Sequence, residues 1–317
     1  MKSNAFRIVY LAVITALARL IASLPASATQ PGINGKIAFA AETDTGSQIY
    51  TINLDGTDLF QVTNVNGGAS SPDWSPDGQR LAFEFDDDTH AGIAIINADG
   101  TGFVDLTPTG FHLQPAFTPD GHHLVYECGD CSGGDGIFLM QDDASDFPGT
   151  RLTTNPFPNE GDSNPEVSPD GKTVTFVRHQ LDGQLQALFA VDIDGKNERL
   201  VTPYTFEVGI KHDWAPDGSR IVITPFADFP DNRSPDVATI GPDGSNVRLL
   251  TNYTGGAVGA FAGSYSPDGR WIAFRLQGPH TFGLWVMSSD GGHRKLIANF
   301  PFKPRFIDWG PKPHDAQ

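Results

Sequence analysis

Asp73, Glu166, Asp213 and Asp308 each stand one residue before an aromatic or apolar residue that opens a Pro-containing turn: Trp74, Val167, Trp214 and Trp309. Two further copies of the slot carry Ala116 and Ser264. Carboxylates that recur at one position of a repeated strand can be brought together by the fold. The slot two residues earlier reads Ser71, Gln114, Asn164, Lys211, Ala262 and Phe306. Carboxylates with amide and hydroxyl oxygens are hard ligands, and calcium is the cofactor they suit. Close together, they cannot all stay anionic without a cation or raised pKa values. Two plainer readings stay open. The acids could accept hydrogen bonds from backbone amides of a neighbouring strand, or line a water-filled channel without any bound ion.

Local catalytic motifs are absent from the sequence. There is no Gly-x-Ser-x-Gly elbow, no His-Glu-x-x-His and no phosphate-binding glycine loop. The nine histidines show no metal-ligand spacing. Any chemistry must therefore come from residues that the fold assembles, one or two per repeat.

The repeat itself is explicit. Trp74-Ser75-Pro76-Asp77-Gly78 returns as Phe117-Thr118-Pro119-Asp120-Gly121 and Val167-Ser168-Pro169-Asp170-Gly171. It returns again as Trp214-Ala215-Pro216-Asp217-Gly218 and Tyr265-Ser266-Pro267-Asp268-Gly269, and ends in the partial copy Trp309-Gly310-Pro311. From Gly35 the unit-opening glycines are spaced by 43, 43, 50, 47 and 51 residues. That period fits four short strands per propeller blade. In the second unit, 71–75 reads as the innermost strand and Pro76-Asp77-Gly78 as its turn. Strands at 80–85 (RLAFEF) and 92–97 (GIAIIN) follow, with a tight Asp99-Gly100 turn before the outer strand. The aromatics of the slot recur at the blade period and read as core. Exposed loop aromatics, namely Phe226, Phe229, Tyr253 and Phe282, are better binding candidates.

The fold expected is all-β: a six-bladed propeller of four-stranded blades. The first unit begins after its turn and lacks an innermost strand, while residues 304–309 (PRFIDW) supply one with no blade after it. Pairing of these N- and C-terminal strands would close the ring and remove an unpaired edge.

Residues 1–28 stand apart. Lys2 and Arg7 precede an apolar run that ends at Ala26-Ser27-Ala28, the pattern of a cleaved signal peptide. The run is interrupted by Arg19 and short for a spanning helix. The expected mature chain is 29–317, without a membrane span, and periplasmic or secreted. Removing the leader lowers Lys+Arg from 21 to 18 against 38 acids, a net charge of −20. Such a chain repels nucleic acid. Its charge favours cationic partners, or serves solubility alone. Cys128 and Cys131 form a Cys-Gly-Asp-Cys loop, read as a local disulfide for an exported chain.

The segments Pro-Asp-Trp-Ser-Pro-Asp-Gly-Gln-Arg-Leu-Ala-Phe (72–83) and Ile-Ile-Asn-Ala-Asp-Gly-Thr-Gly (95–102) resemble the repeat of the TolB-type β-propeller family. The likeness runs over about 33–313. It implies a propeller of the cell envelope that binds protein partners through one face, as TolB itself binds a peptidoglycan-associated lipoprotein. TolB carries a small α/β domain before its propeller. Here only a few residues separate the expected cleavage site from Gly35, so that domain is expected to be lacking. The function expected is an exported, non-catalytic, monomeric interaction module for a protein or peptide. The alternative is a calcium-dependent hydrolase or lyase at the channel mouth, by analogy with other propellers. A sugar-binding module is the third reading.

Overall fold

The computed structural model describes residues 32–313, apart from 44–45, 88, 133, 157–160, 181–184, 210, 227–234 and 254–257. The expected leader and Phe229 lie outside the described residues. Among them no helix is long and apolar enough to cross a membrane.

Each Pro-Asp-Gly turn is built by the residues that repeat in it. The Ser75 hydroxyl donates to Asp77 Oδ1 at 2.6 Å and accepts the Arg80 amide at 2.9 Å. Asp77 Oδ1 also accepts the Gln79 amide, and the Gly78 amide closes the turn on the Ser75 carbonyl at 2.8 Å. Gly78 sits at φ 68°, a conformation that favours glycine. Thr118 with Asp120, Ser168 with Asp170 and Ser266 with Asp268 repeat the hydroxyl–carboxylate bond. The turn hands each innermost strand to the next strand of its blade, antiparallel.

The chain contains 24 strands among the described residues. In the first stretch β1 (Asn34–Thr43), β2 (Gly46–Ile52) and β3 (Phe60–Gln61) precede β4 (Gly67–Trp74), β5 (Arg80–Asp86), β6 (Ala91–Asn97) and β7 (Val104–Asp105). One four-stranded sheet follows from β8 (His112–Phe117), β9 (His123–Cys128), β10 (Gly136–Gln141) and β11 (Thr150–Arg151). The next holds β12 (Asp162–Val167), β13 (Thr173–Gln180), β14 (Leu185–Asp192) and β15 (Arg199–Leu200). Then come β16 (Asp213–Trp214), β17 (Ile221–Ile223), β18 (Ala238–Ile240) and β19 (Arg248–Leu249). The last of these sheets is β20 (Gly259–Tyr265), β21 (Trp271–Gln277), β22 (Phe282–Ser288) and β23 (Lys295–Phe300). The final strand, β24 (Arg305–Pro311), returns to pair with β1.

The expectation of a six-bladed propeller of four-stranded blades is corrected here: the arrangement has four such blades, not six. Four four-stranded blades stand as separate sheets, while the remaining eight strands form one continuous sheet, β24-β1-β2-β4-β5-β6-β7 with β3 on β2. The join is a short parallel pairing of β2 with β4, Gly46 against Gly67 and Ser47 against Gly68. Glycine makes it possible. A Cβ on Gly46 would lie 2.8 Å from the Gly67 carbonyl oxygen, too close for any side chain. Three glycines at this corner let two sheet edges meet where side chains would otherwise hold them apart.

β24 pairs with β1 antiparallel, Ile37 against Trp309 and Ala38 against Asp308. The Trp309 indole donates to the Gly35 carbonyl at 3.2 Å, and the Lys312 amide to the Ile33 carbonyl at 2.8 Å. Apolar side chains fill the spaces between neighbouring sheets. Ile37, Phe39, Ile307 and Trp309 pack with Ala273, Leu284 and Val286 from the β20–β23 sheet.

A second repeating device was not read from the sequence. Buried threonines just after the outer strands accept a backbone amide from the adjacent strand: Thr63 from Ile49, Thr107 from Ile93, Thr153 from Ile137, Thr202 from Leu188 and Thr251 from Val237, at 2.8–3.0 Å. The sequence signal was available as Val/Leu-Thr once in each of five units. It satisfies amides that the short outer strands leave unpaired.

Candidate functional site

The innermost strands bulge before they reach the acid slot. Ser71, Gln114, Asn164 and Phe306 have φ of 50°, 53°, 50° and 48°. The ladder register shifts across the same places in β4, β8 and β12, and in β24 against β1. Such bulges re-aim the following side chains. Asp73, Glu166, Asp213 and Asp308 are brought together around one cavity of about 20 Å³, with Trp74, Phe117 and Trp309 in its wall. That is room for about one water.

Convergence is accompanied by use. Asp308 Oδ2 accepts the Trp74 amide at 2.8 Å. Asp73 Oδ2 accepts the Phe117 amide at 2.7 Å. Asp213 Oδ2 accepts the Tyr265 amide at 2.7 Å and the Ser264 hydroxyl at 2.9 Å, while its Oδ1 accepts the Trp214 amide at 2.8 Å. Three aspartates thus hook the backbone of the next innermost strand. Glu166, one methylene longer, reaches the Lys211 ammonium instead.

Electrostatics follow from that packing. Burial pushes the Asp73 carboxyl well above the usual range, and Asp308 and Glu166 push it further. Asp213 is likewise raised well above it, by burial and then by Glu166. Burial raises Glu166, against the pull of Lys211. Burial works to lower Lys211, yet the four acids hold its ammonium above its ordinary value. Next to it, burial and the Lys211 charge push His212 down to about 3, so its ring is neutral. The belt therefore carries its own cation, the Lys211 ammonium. A divalent ion would have to displace Lys211 and compete with backbone amides for carboxylate oxygens. The residues fit a calcium ion poorly.

The mouth beyond the belt is differently made. Six residues after each unit-opening glycine, the chain reads Ala41, Glu84, Glu127, Val177, Thr224 and Arg275. Glu84 accepts the hydroxyls of Ser70 and Ser71. Burial pushes Glu127 up to about 8, assisted by Glu84, Asp135 and Asp162. A separate cavity of about 240 Å³ has a wall that includes Lys211, Thr224, Phe226, Phe261 and Arg275. Of the loop aromatics singled out earlier, Phe226 is here and exposed. Phe282 lies under the Lys303 ammonium and Tyr253 beside Arg294, both half-buried. The slot six residues after the glycine was the signal that sequence reading passed over.

Glu127 gives a pH-dependent stability of known sign. Its ordinary pKa is about 4.3. Between that value and about 8 the folded chain keeps a proton that the unfolded chain releases. Stability from this group is therefore full at acid pH and is lost as pH rises to about 8. Glu127→Gln should match wild type near pH 4 and melt higher at pH 9, by about 2–4 °C for each kcal/mol relieved. Equal melting temperatures at pH 9 would contradict it.

Away from the channel, Cys128 and Cys131 are joined in a disulfide, with Cα atoms 5.6 Å apart. His112 and Asp130 stand near the pair. With both sulfurs bonded to each other, no thiolate is left there to hold a metal.

With the sheets, the turns and the acid belt in place, comparison with known proteins fixes the kinship. Residues 23–258 match the family described as TolB beta propeller domain. The chain belongs to this family. It is 29% identical to an uncharacterised protein of Agrobacterium fabrum, over half of this chain and 52% of that one. It is 32% identical to the Tol-Pal system protein TolB of Anaeromyxobacter sp. (strain K), over 35% of this chain and 24% of that one. The chain thus matches about half or less of these curated relatives. Its fold is similar to that of TolB from Acinetobacter baumannii, with a TM-score of 0.71 at 20% identity, covering 88% of this chain and 67% of that one.

Proposed function

We propose that this TolB-type propeller is exported as residues 29–317 and works as a non-catalytic module. It binds a protein or peptide partner, in the cell envelope or outside the cell. The observation that carries the reading is the use made of the four acids. Asp73, Asp213 and Asp308 hold neighbouring strands by their backbone amides, and Glu166 holds Lys211. Groups so engaged serve ring cohesion, not proton transfer or ligation. The kinship with TolB of the Tol-Pal system supports the envelope as the place. The cavity with exposed Phe226 offers the aromatic contact that docking surfaces favour.

The test is capture on the immobilised mature chain from a native envelope and secretome extract. One protein retained near stoichiometric amount, and bound again when purified, is the expected result. A bare matrix from both extracts would count against a binding module.

A further inference from the structure

The 240 Å³ cavity at the channel mouth is cationic, in a chain whose net charge is −17. Lys211, Arg275, Lys303 and Arg305 line it, and among the described residues no acidic one does. Lys211 is already paired with Glu166. The other three differ. Among the described residues, no carboxylate lies within ion-pair distance of Arg275, Lys303 or Arg305. Arg275 is stacked 3.9 Å above the Phe261 ring, and among the described residues its guanidinium makes one hydrogen bond, a long one of 3.4 Å from Nη1 to the Pro304 carbonyl. Its Nε is buried and has no partner. Burial and the Arg305 charge push the Arg275 guanidinium down to about 10. Arg275 as a whole is half-buried; an arginine drawn inward is ordinarily paired, and an unmatched buried donor such as its Nε costs about 1–3 kcal/mol. Here the fold keeps one, places a second guanidinium beside it, and walls both with Phe226 and Phe261, whose centroids are 6.0 Å apart. Two arginines with an aromatic wall match a planar anion on a short apolar stem.

From this arrangement we infer that the cavity is a carboxylate-binding site, in which Arg275 and Arg305 take the carboxylate of a peptide segment while Phe226 and Phe261 pack its apolar neighbour. This rests on the reading of the chain as a peptide-binding module, and it names the place and the chemistry. The carboxylate has two sources in a peptide, an Asp or Glu side chain and a chain terminus. The cavity's size limits the inserted part to about one side chain and its carboxylate.

Binding of two capped probes to the mature chain, followed by calorimetry, tests it. Acetyl-Phe-Glu-amide offers a side-chain carboxylate and acetyl-Gly-Phe a terminal one. At least one should bind saturably, and the one that binds identifies the source. Its neutral counterpart, acetyl-Phe-Gln-amide or acetyl-Gly-Phe-amide, should bind about tenfold more weakly or worse. Arg305→Gln, at an exposed position, should produce a similar loss without changing the melting temperature. Arg275→Gln should also lose binding, yet melt no lower than wild type, because it removes a half-buried charge whose Nε has no partner. Equal binding of acid and amide, no saturable binding of either acid, or full displacement by inorganic phosphate at equal concentration would overturn the site. A captured protein partner that binds both variants as well as wild type would also overturn it, and would leave the module reading standing. Saturable acid binding lost in both variants, with no protein captured, would support the site and count against the module.

Discussion

Removal of residues 303–317 is expected to abolish cooperative folding of the mature chain. The deleted segment contains β24, which covers the edge of β1 over Ile37 to Ala40. It carries Ile307 and Trp309, each 2% exposed, out of the cluster shared with the β20–β23 sheet. Truncating one large buried side chain costs about 2–5 kcal/mol, and here two go together. Asp308 leaves as well, so the Trp74 amide loses its acceptor. The sum is comparable to the whole stability of an ordinary domain, about 5–15 kcal/mol. The bared edge of β1 would then template aggregation. Thermal melting by circular dichroism is the check. The truncated chain should show no sharp transition and should precipitate. A transition at the wild-type temperature would mean that β24 decorates the ring instead of closing it.

The pairing of β24 with β1 was legible because the repeat was incomplete at both ends in complementary ways. The turn chemistry was legible for the same reason, since Ser/Thr, Pro, Asp and Gly each have one job in it. The joining of β2 to β4 was not. It depends on Gly46, Gly67 and Gly68 meeting across sheets, and a glycine in a loop reads only as freedom of the backbone. A contact between main chains leaves no side-chain pattern to find. The blade count was read wrongly for that reason.

The acid slot shows a different limit. Aligning the repeats was enough to show that Asp73, Glu166, Asp213 and Asp308 share a place, and they do line one cavity. Alignment could not show what their oxygens touch. An aspartate that hooks the next strand's amide and one that ligates a cation occupy the same slot. The distinction lies in a hydrogen bond of 2.7 Å to Phe117 or Tyr265 and in the ammonium of Lys211, which comes from the slot two residues earlier. The mouth was missed for a plainer reason. Arg275 lies on the second strand of its blade and was never compared with Glu84 and Glu127. That comparison puts acids in the slot of two units and a guanidinium in the same slot of another.

Arg178→Ala is the substitution expected to do the most damage within a folded ring. Arg178 Nε and Nη2 donate to Asp162 Oδ1 and Oδ2 at 2.7 and 2.8 Å, and Nη2 also donates to Glu198 Oε2 at 2.9 Å. The guanidinium carbon lies 4.7 Å from the Phe189 centroid and 5.2 Å from that of Phe176. Burial works to lower the Arg178 pKa, but the bonds to Asp162 and Glu198 hold it above its ordinary value. The residue joins two strands by charge and packs between rings, so alanine removes both. The larger consequence falls on Asp162, which is 0% exposed and would be left as a buried, uncompensated carboxylate. Breaking such a pair from one side costs about 3–5 kcal/mol. Glu198 is about a third exposed, so Glu198→Ala should cost under about 1 kcal/mol. The ordering separates pairing from packing. If the unpaired charge dominates, Arg178→Met with Asp162→Leu should recover most of the loss in urea unfolding, because an apolar pair of similar volume can replace a buried ion pair. If the double variant is as unstable as Arg178→Ala alone, the stacking on Phe176 and Phe189 is what Arg178 contributes, and the ion pair is incidental to the stability of this blade.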